Sequence, residues 1–227
     1  MTRHNEEYRW TEILRQDWPL VFVLSGLVVA AFVIFPLLPE RVPMHWNAAG
    51  EVDRYGSRFT GAFAIPFLTV GIYVGMLLLP LIDPRRANYT KFQTAYRALR
   101  TGLVLFLTVL YAAVTASALG YDVNISRVIP MALGVFFIII GNYLTQVRHN
   151  YFVGIRTPWT LASEEVWRRT HRLGGFLFVA AGIISIFAAL VPGPLSFWVT
   201  IAAVIGAAVV AVVYSAVLYF QSNKTPK

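Results

Sequence analysis

The sequence predicts an all-α, multi-pass membrane protein with six transmembrane helices and both termini in the cytoplasm. Three observations predict it. Hydrophobic residues fill 57% of the 227 positions and charged residues only 13%, against about a quarter charged in an ordinary soluble domain. The apolar residues gather into six runs free of Asp, Glu, Lys and Arg, spanning 18–38, 62–82, 102–119, 128–147, 174–191 and 195–220. With the N-terminus inside, only Arg41, Arg54, Arg58 and Arg127 of the 19 lysines and arginines fall on the outer side, the asymmetry that orients membrane helices.

At about 1.5 Å rise per residue, each run is long enough to cross a hydrocarbon core of roughly 30 Å. The first run is expected to be a retained helix rather than a cleaved leader. It follows a polar stretch, exceeds a signal core in length, and ends in Phe35-Pro36-Leu37-Leu38-Pro39, which is no small-residue cleavage site. Pro66 and the glycines at 71, 75, 134, 182 and 206 are tolerable inside spans, because neighbouring helices pack against or satisfy the local backbone. The net charge of +8 then reflects topology: basic residues meet anionic lipid, and no basic stretch is long enough to form a nucleic-acid groove. The chain has no cysteine, which excludes disulfides, thiol catalysis and thiolate metal sites. Without a linker or convincing repeat, 1–227 is read as one integral domain. It comprises a cytoplasmic tail at 1–17, three spans within 18–120 and three more within 121–227.

The segment 142–174, between the fourth and fifth spans, departs most from a plain loop. Thr157-Pro158-Trp159 breaks any helix continuing from the fourth span, since the residue before proline is biased away from the helical region. Ser163 followed by Glu164 and Glu165 reads as a helix N-cap with acidic residues in the first turn. Trp167, Thr170, His171 and Gly174 then share one helical face, with Arg168, Arg169 and Arg172 on the other. A short interfacial helix is expected here, its arginines toward the headgroups.

Gly141-Asn142, the run Asn150-Tyr151-Phe152-Val153-Gly154-Ile155-Arg156-Thr157-Pro158-Trp159-Thr160-Leu161 and the run from Trp167 to Gly174 closely resemble the C-terminal signature of the SdpI family of bacterial membrane proteins. The stretch Pro43-Met44-His45-Trp46-Asn47-Ala48-Ala49-Gly50-Glu51-Val52-Asp53-Arg54-Tyr55-Gly56 resembles the loop of the N-terminal domain of unknown function that accompanies longer SdpI-type proteins. The resemblance implies a multi-pass protein of the bacterial cell membrane. It implies protection against a secreted toxic peptide met on the outer face, with toxin binding relayed to a cytoplasmic repressor. On that basis His45, Trp46, Asn47, Gly50 and Asp53 are the candidate ligand-contact residues of the outer loop. Asn142, Asn150, Gly154, Arg156, Thr157, Pro158, Trp159, Trp167, Thr170 and His171 form the inner family motif.

Read as chemistry, the same residues allow plainer roles. His45, Glu51 and Asp53 are of metal-ligand type, but their spacing fits no standard pattern; no metal and no cofactor is expected. Gly50 is expected to make a turn, the carboxylates to face solvent or pair with Arg54 and Arg58, and His45 with Trp46 to cap the bundle at headgroup level. Asn142 and Gln146 are expected to hydrogen-bond between helices. Arg156 is expected to meet a lipid headgroup or to neutralise Glu164 or Glu165, its fork also suiting a bidentate carboxylate or phosphate. His171, between arginines, is expected to be neutral and bonded to Asn150 or to backbone. No HExxH, GxSxG or phosphate loop is present, so catalysis is not expected. A transporter or channel is the main alternative. The absence of ionisable residues from the six runs argues against coupling to an ion gradient.

Overall fold

The computed structural model describes residues 10–222; residues 1–9 of the expected cytoplasmic tail and 223–227 at the C-terminus lie outside the described residues. Among the described residues six helices are long and apolar enough to cross a membrane: Trp18–Leu37, Arg58–Ile82, Arg86–Ala118, Ile125–Leu144, Glu164–Ala188 and Leu195–Ser222. In chain order the elements are α1 (Trp10–Gln16), α2 (Trp18–Ile34), β1 (Arg41–Trp46), β2 (Val52–Ser57), α3 (Arg58–Ile82), α4 (Gln93–Ala118), α5 (Ile125–Leu144), α6 (Pro158–Ala162), α7 (Glu164–Ala188) and α8 (Leu195–Ser222). Among the described residues, the start of α2 and the end of α8 lie at one end of the six-helix bundle. The β1–β2 hairpin therefore marks one end of the bundle and the termini mark the other.

The helices start where short polar side chains satisfy their first backbone N–H groups. Ser57 accepts from Thr60 N at the start of α3, Asn124 from Arg127 N at α5, and Ser163 from Val166 N at α7. Thr157 and Thr160 form a reciprocal capping box around α6, with Pro158 in its first turn, where the missing proline N–H costs nothing. Large apolar side chains such as Phe22, Phe32, Phe176, Phe187 and Val209 are exposed on the helix exteriors, as a chain solvated by lipid requires.

Inside, α5 and α7 cross in close contact. A Cβ on Gly141 would stand 2.6 Å from Gly175 O, and one on Gly134 would stand 2.6 Å from Gly182 O. Two small-residue pairs seven positions apart thus let the backbones meet, the usual driving arrangement where lipid removes the hydrophobic term. At the hairpin end Val42 packs with Leu27, Ala31, Leu38, Ala62, Phe63 and Tyr111. At the termini end Tyr89, Phe92, Tyr96, Val147 and Trp167 form a second, aromatic cluster.

Three features differ from the sequence expectation. The loop between the first two spans, expected to lie outside, is an antiparallel hairpin with a bulge between Pro43 and Trp46, a small strand element in an otherwise helical chain. The expected interfacial helix is the first part of α7, continuous with the fifth span, because nothing between Glu164 and Ala188 breaks the hydrogen-bond ladder. And α4 begins at Gln93 rather than after the last charge, so that it includes Arg97 and carries Arg100 into the bundle.

Candidate functional site

At the hairpin end, Asn47 builds the turn. Its Oδ1 accepts from Ala49 N (2.9 Å) and Glu51 N (3.0 Å), its Nδ2 donates to Glu51 Oε2 (3.1 Å), and Gly50 N donates to Asn47 O (2.9 Å). Gly50 closes the loop at φ +84°, in the left-handed region that glycine alone enters without strain. The turn sets the two strands so that His45 Nδ1 lies 2.6 Å from Asp53 Oδ1, with both side chains about half exposed. Asp53 and Glu51 are exposed, one of the two arrangements expected of them, and their side chains bond to His45 and Asn47 rather than to Arg54 and Arg58. Beneath the hairpin lies a mostly apolar cavity of about 300 Å³, lined by His45, Trp46, Asn47 and Gly50 and floored by residues of α4, α5 and α8 that include Ile129, Leu133 and Ile201. Thr200 Oγ1, also on its wall, is buried without a hydrogen-bond partner. Among the described residues no group of three or more His, Asp or Glu gathers to hold a metal.

At the termini end, Asn150 is fully buried. It ties the segment after α5 into a compact turn: its Nδ2 donates to Arg148 O (2.8 Å) and Val153 O (2.9 Å), and its Oδ1 accepts from Phe152 N (2.8 Å) and Val153 N (2.7 Å). Asp83, at the end of α3, accepts from Tyr151 N (3.0 Å), Tyr89 Oη (3.0 Å) and Arg85 N (2.7 Å). One buried carboxylate thus joins the two halves of the chain. Thr157 Oγ1 contacts Ser215 Oγ at 3.0 Å, fastening α6 to α8, and Trp159 meets the Phe220 ring edge-on at 6.3 Å.

His171 forms the centre of the motif. Ile155 N–H donates to its Nε2 (3.0 Å), so Nδ1 carries the proton and donates to Trp167 O (2.8 Å); the ring is neutral and bonded to backbone, the second of the two arrangements expected from the sequence. Its plane stacks on Trp167 at 4.0 Å, and Trp167 Nε1 donates to Val147 O (2.9 Å). Gly154 passes so close, at φ +113°, that a Cβ there would lie 2.3 Å from His171 Nε2. Thr170 and Gly174 are buried on the same face, Thr170 Oγ1 without a partner. Arg168, Arg169 and Arg172 are exposed.

Asn142 does not make the expected interhelical bond, and Arg156, expected to meet a lipid headgroup or to neutralise Glu164 or Glu165, pairs with neither glutamate among the described residues. Asn142 is exposed and its Nδ2 donates back to Ile138 O of its own helix (2.9 Å), a local bond that competes with any interhelical one. Arg156 is exposed and donates to Tyr151 O (3.1 Å), while Glu165 is engaged by Arg168 and Glu164 lies 3.7 Å from His149.

Sequence reasoning missed Asp17, Asp83, Arg100 and His149, all buried. Asp17 pairs with Arg100 and lies 3.4 Å from Arg97 Nε and 3.3 Å from Tyr73 Oη. Bounding each span at its nearest charge made these residues read as solvated flanks. The aromatic companions Tyr73 and Tyr96, over which Arg100 sits at 5.7 and 5.6 Å, were the available signal.

With this geometry in hand, the similarities to known proteins can be placed. Residues 21–70 match a domain of unknown function, DUF1648, which takes in α2, the hairpin and half of α3. Residues 146–215 match the SdpI/YfhL protein family and take in the Asn150 turn, α6, α7 and most of α8. The immunity protein SdpI of Bacillus subtilis (strain 168) is 26% identical over 164 residues, covering 72% of this chain and 76% of that protein. No solved structure matches the chain. The similarity to SdpI and the six apolar helices make this a multi-pass protein of the cell membrane. Its C-terminal segment is similar to the SdpI/YfhL family and its N-terminal segment to DUF1648.

Proposed function

We propose that this chain is a membrane immunity protein, with its hairpin end outside the cell and its termini inside, and that it meets a secreted toxic peptide at the surface formed by His45, Trp46, Asn47, Gly50 and Asp53. The observation that carries this reading is the apolar cavity of about 300 Å³ roofed by the hairpin, with the His45–Asp53 pair half exposed beside it. A cavity with an apolar lining and a few placed polar groups suits ligand binding. The similarity to an immunity protein supports the role and favours binding over catalysis.

A relay to a cytoplasmic repressor would use the opposite end, where Arg156, Arg169 and Arg172 are exposed. His171 lies in the interior and would support that surface rather than contact a partner. The test is expression in a sensitive bacterium. His45→Ala, Trp46→Ala and Asp53→Ala should reduce survival in the presence of toxin at unchanged membrane abundance, while Arg156→Ala should spare survival and weaken repressor capture. Wild-type protein that confers no resistance to any secreted peptide toxin would refute the assignment.

A further inference from the structure

The cavity beneath the hairpin has depth as well as a mouth. Its volume is about 300 Å³, and its wall on α5 runs from Ile125 to Leu133, about 12 Å along the helix axis. Chain direction places the other walls. The α4 lining ends, away from the hairpin, at Leu110, and the α8 lining at Ile201, so that Leu110, Leu133 and Ile201 form the floor. Among the described residues no Asp, Glu, Lys or Arg lines the space, and its polar groups other than Thr200 are His45, Asn47 and Ser126, all at the hairpin end. The roof is fixed in place. Gly50, at φ +84°, comes so near α5 that a Cβ there would collide with Ser126 Oγ, and Ser126 O accepts from Ser196 Oγ of α8 (3.4 Å). Hairpin, α5 and α8 are thereby joined at the mouth, which presets the space below and lowers the ordering cost of filling it.

We propose, resting on the peptide reading above, that this cavity receives one bulky uncharged side chain of the peptide, aromatic in size, and that Leu110, Leu133 and Ile201 set the length and width it accepts. An apolar cavity of about 150 Å³ stays dry and takes up benzene, and twice that volume holds a phenyl or indole group with the carbon that attaches it. A charged side chain is shut out, because no counter-charge lines the space to offset its desolvation. The main chain on either side of the inserted residue stays at the mouth. There Asn47 Nδ2 uses one of its two hydrogens on Glu51, and His45 meets Asp53 through Nδ1, so both side chains keep capacity for a further bond. A peptide brings a donor and an acceptor to that rim with each residue, whereas an acyl chain brings neither along its length; the rim therefore favours a peptide over a lipid tail. Selection among peptides then rests with α4, α5 and α8, apart from the loop that meets the ligand first.

The test uses a chain that has no cysteine of its own. Ala48 lines the roof of the cavity, while Ala49 is exposed and does not line it. Single-cysteine variants Ala48→Cys and Ala49→Cys of the full-length protein in lipid nanodiscs are equilibrated with the disulfides of 2-phenylethanethiol and of thiocholine, and the two mixed disulfides are quantified by mass spectrometry. The phenyl adduct should be favoured at Ala48→Cys by about tenfold or more over the ratio at Ala49→Cys, as burial of an aromatic group requires. Adding Leu133→Trp or, from α8, Ile201→Trp fills the space, and each should return the ratio to the Ala49→Cys value; Val135→Trp, on an exposed face of α5 outside the cavity, should not. In a sensitive bacterium the two filling variants, without the cysteine, should lower the toxin concentration survived by about tenfold or more at unchanged membrane abundance. Equal ratios at Ala48→Cys and Ala49→Cys, or filling variants as resistant as wild type, would overturn the inserted side chain and leave the hairpin-surface reading standing. A phenyl preference in a wild-type protein that confers no resistance would overturn the peptide itself and leave a lipid chain as the occupant.

Discussion

Replacing Gly154 by alanine probes the tightest contact in the family motif. The backbone there sits at φ +113°, and the new Cβ would lie 2.3 Å from His171 Nε2, well inside van der Waals contact. Two costs follow. An L-residue held at positive φ costs about 1–3 kcal/mol. Displacing the imidazole breaks the bond from Ile155 N–H and leaves a part-buried donor unsatisfied, at about 1–3 kcal/mol. Gly154→Ala should therefore lose about 2–6 kcal/mol, much of the stability of an ordinary domain. The steric part needs His171 to be present. In a double-mutant cycle, Gly154→Ala combined with His171→Ala should cost less than the two single changes added, by about 1–3 kcal/mol. The assay is reversible unfolding in mixed detergent followed by tryptophan fluorescence, with membrane abundance as a second readout. A Gly154→Ala protein within about 0.5 kcal/mol of wild type, or strict additivity in the cycle, would show that the Gly154–His171 contact does not constrain the motif.

Other outcomes are checked more simply. Because the chain has no cysteine, single cysteines at exposed Ala49 and Asp122 should react with an impermeant maleimide added to whole cells, while one at exposed Ala87 should react only after lysis; the reverse pattern would invert the proposed orientation. Asp17→Asn leaves Arg100, whose side chain is 3% exposed, without its counter-charge and should cost about 3–5 kcal/mol, whereas Asp17→Asn with Arg100→Met should recover much of that loss in an unfolding titration. His149 is depressed below its ordinary value of 6.5 by burial, so the unfolded chain binds the proton more readily than the folded one. Its contribution is then fully present above about pH 6.5 and lost as pH falls from there through the depressed folded value. His149→Gln should flatten the acid side of the stability profile, and an unchanged slope would remove His149 as its cause.

The six spans, the break at Thr157-Pro158 and the cap at Ser163 were legible in the residue order, whereas the Thr157–Thr160 capping box was not. Hydropathy over 20 residues and a hydroxyl beside the first helical N–H are local properties that no distant partner needs to complete. Trp167, Thr170, His171 and Gly174 shared a face by helical periodicity alone, and that face is buried. The tertiary structure decided what local pattern does not encode. Asp17 finds Arg100 across 83 positions, and Asp83 finds Tyr151 across 68. In the sequence each looks like a charge at the edge of a span, and only a partner brought near by folding makes burial affordable. Asn142 went the other way, since a carbonyl four residues back was nearer than any facing helix. The hairpin was hidden because its short strands lie between two long apolar runs, and their pairing depends on the Asn47 and Gly50 turn rather than on composition. Gly154 could be seen as a glycine in a motif, but why no other residue fits there depends on where α7 carries His171.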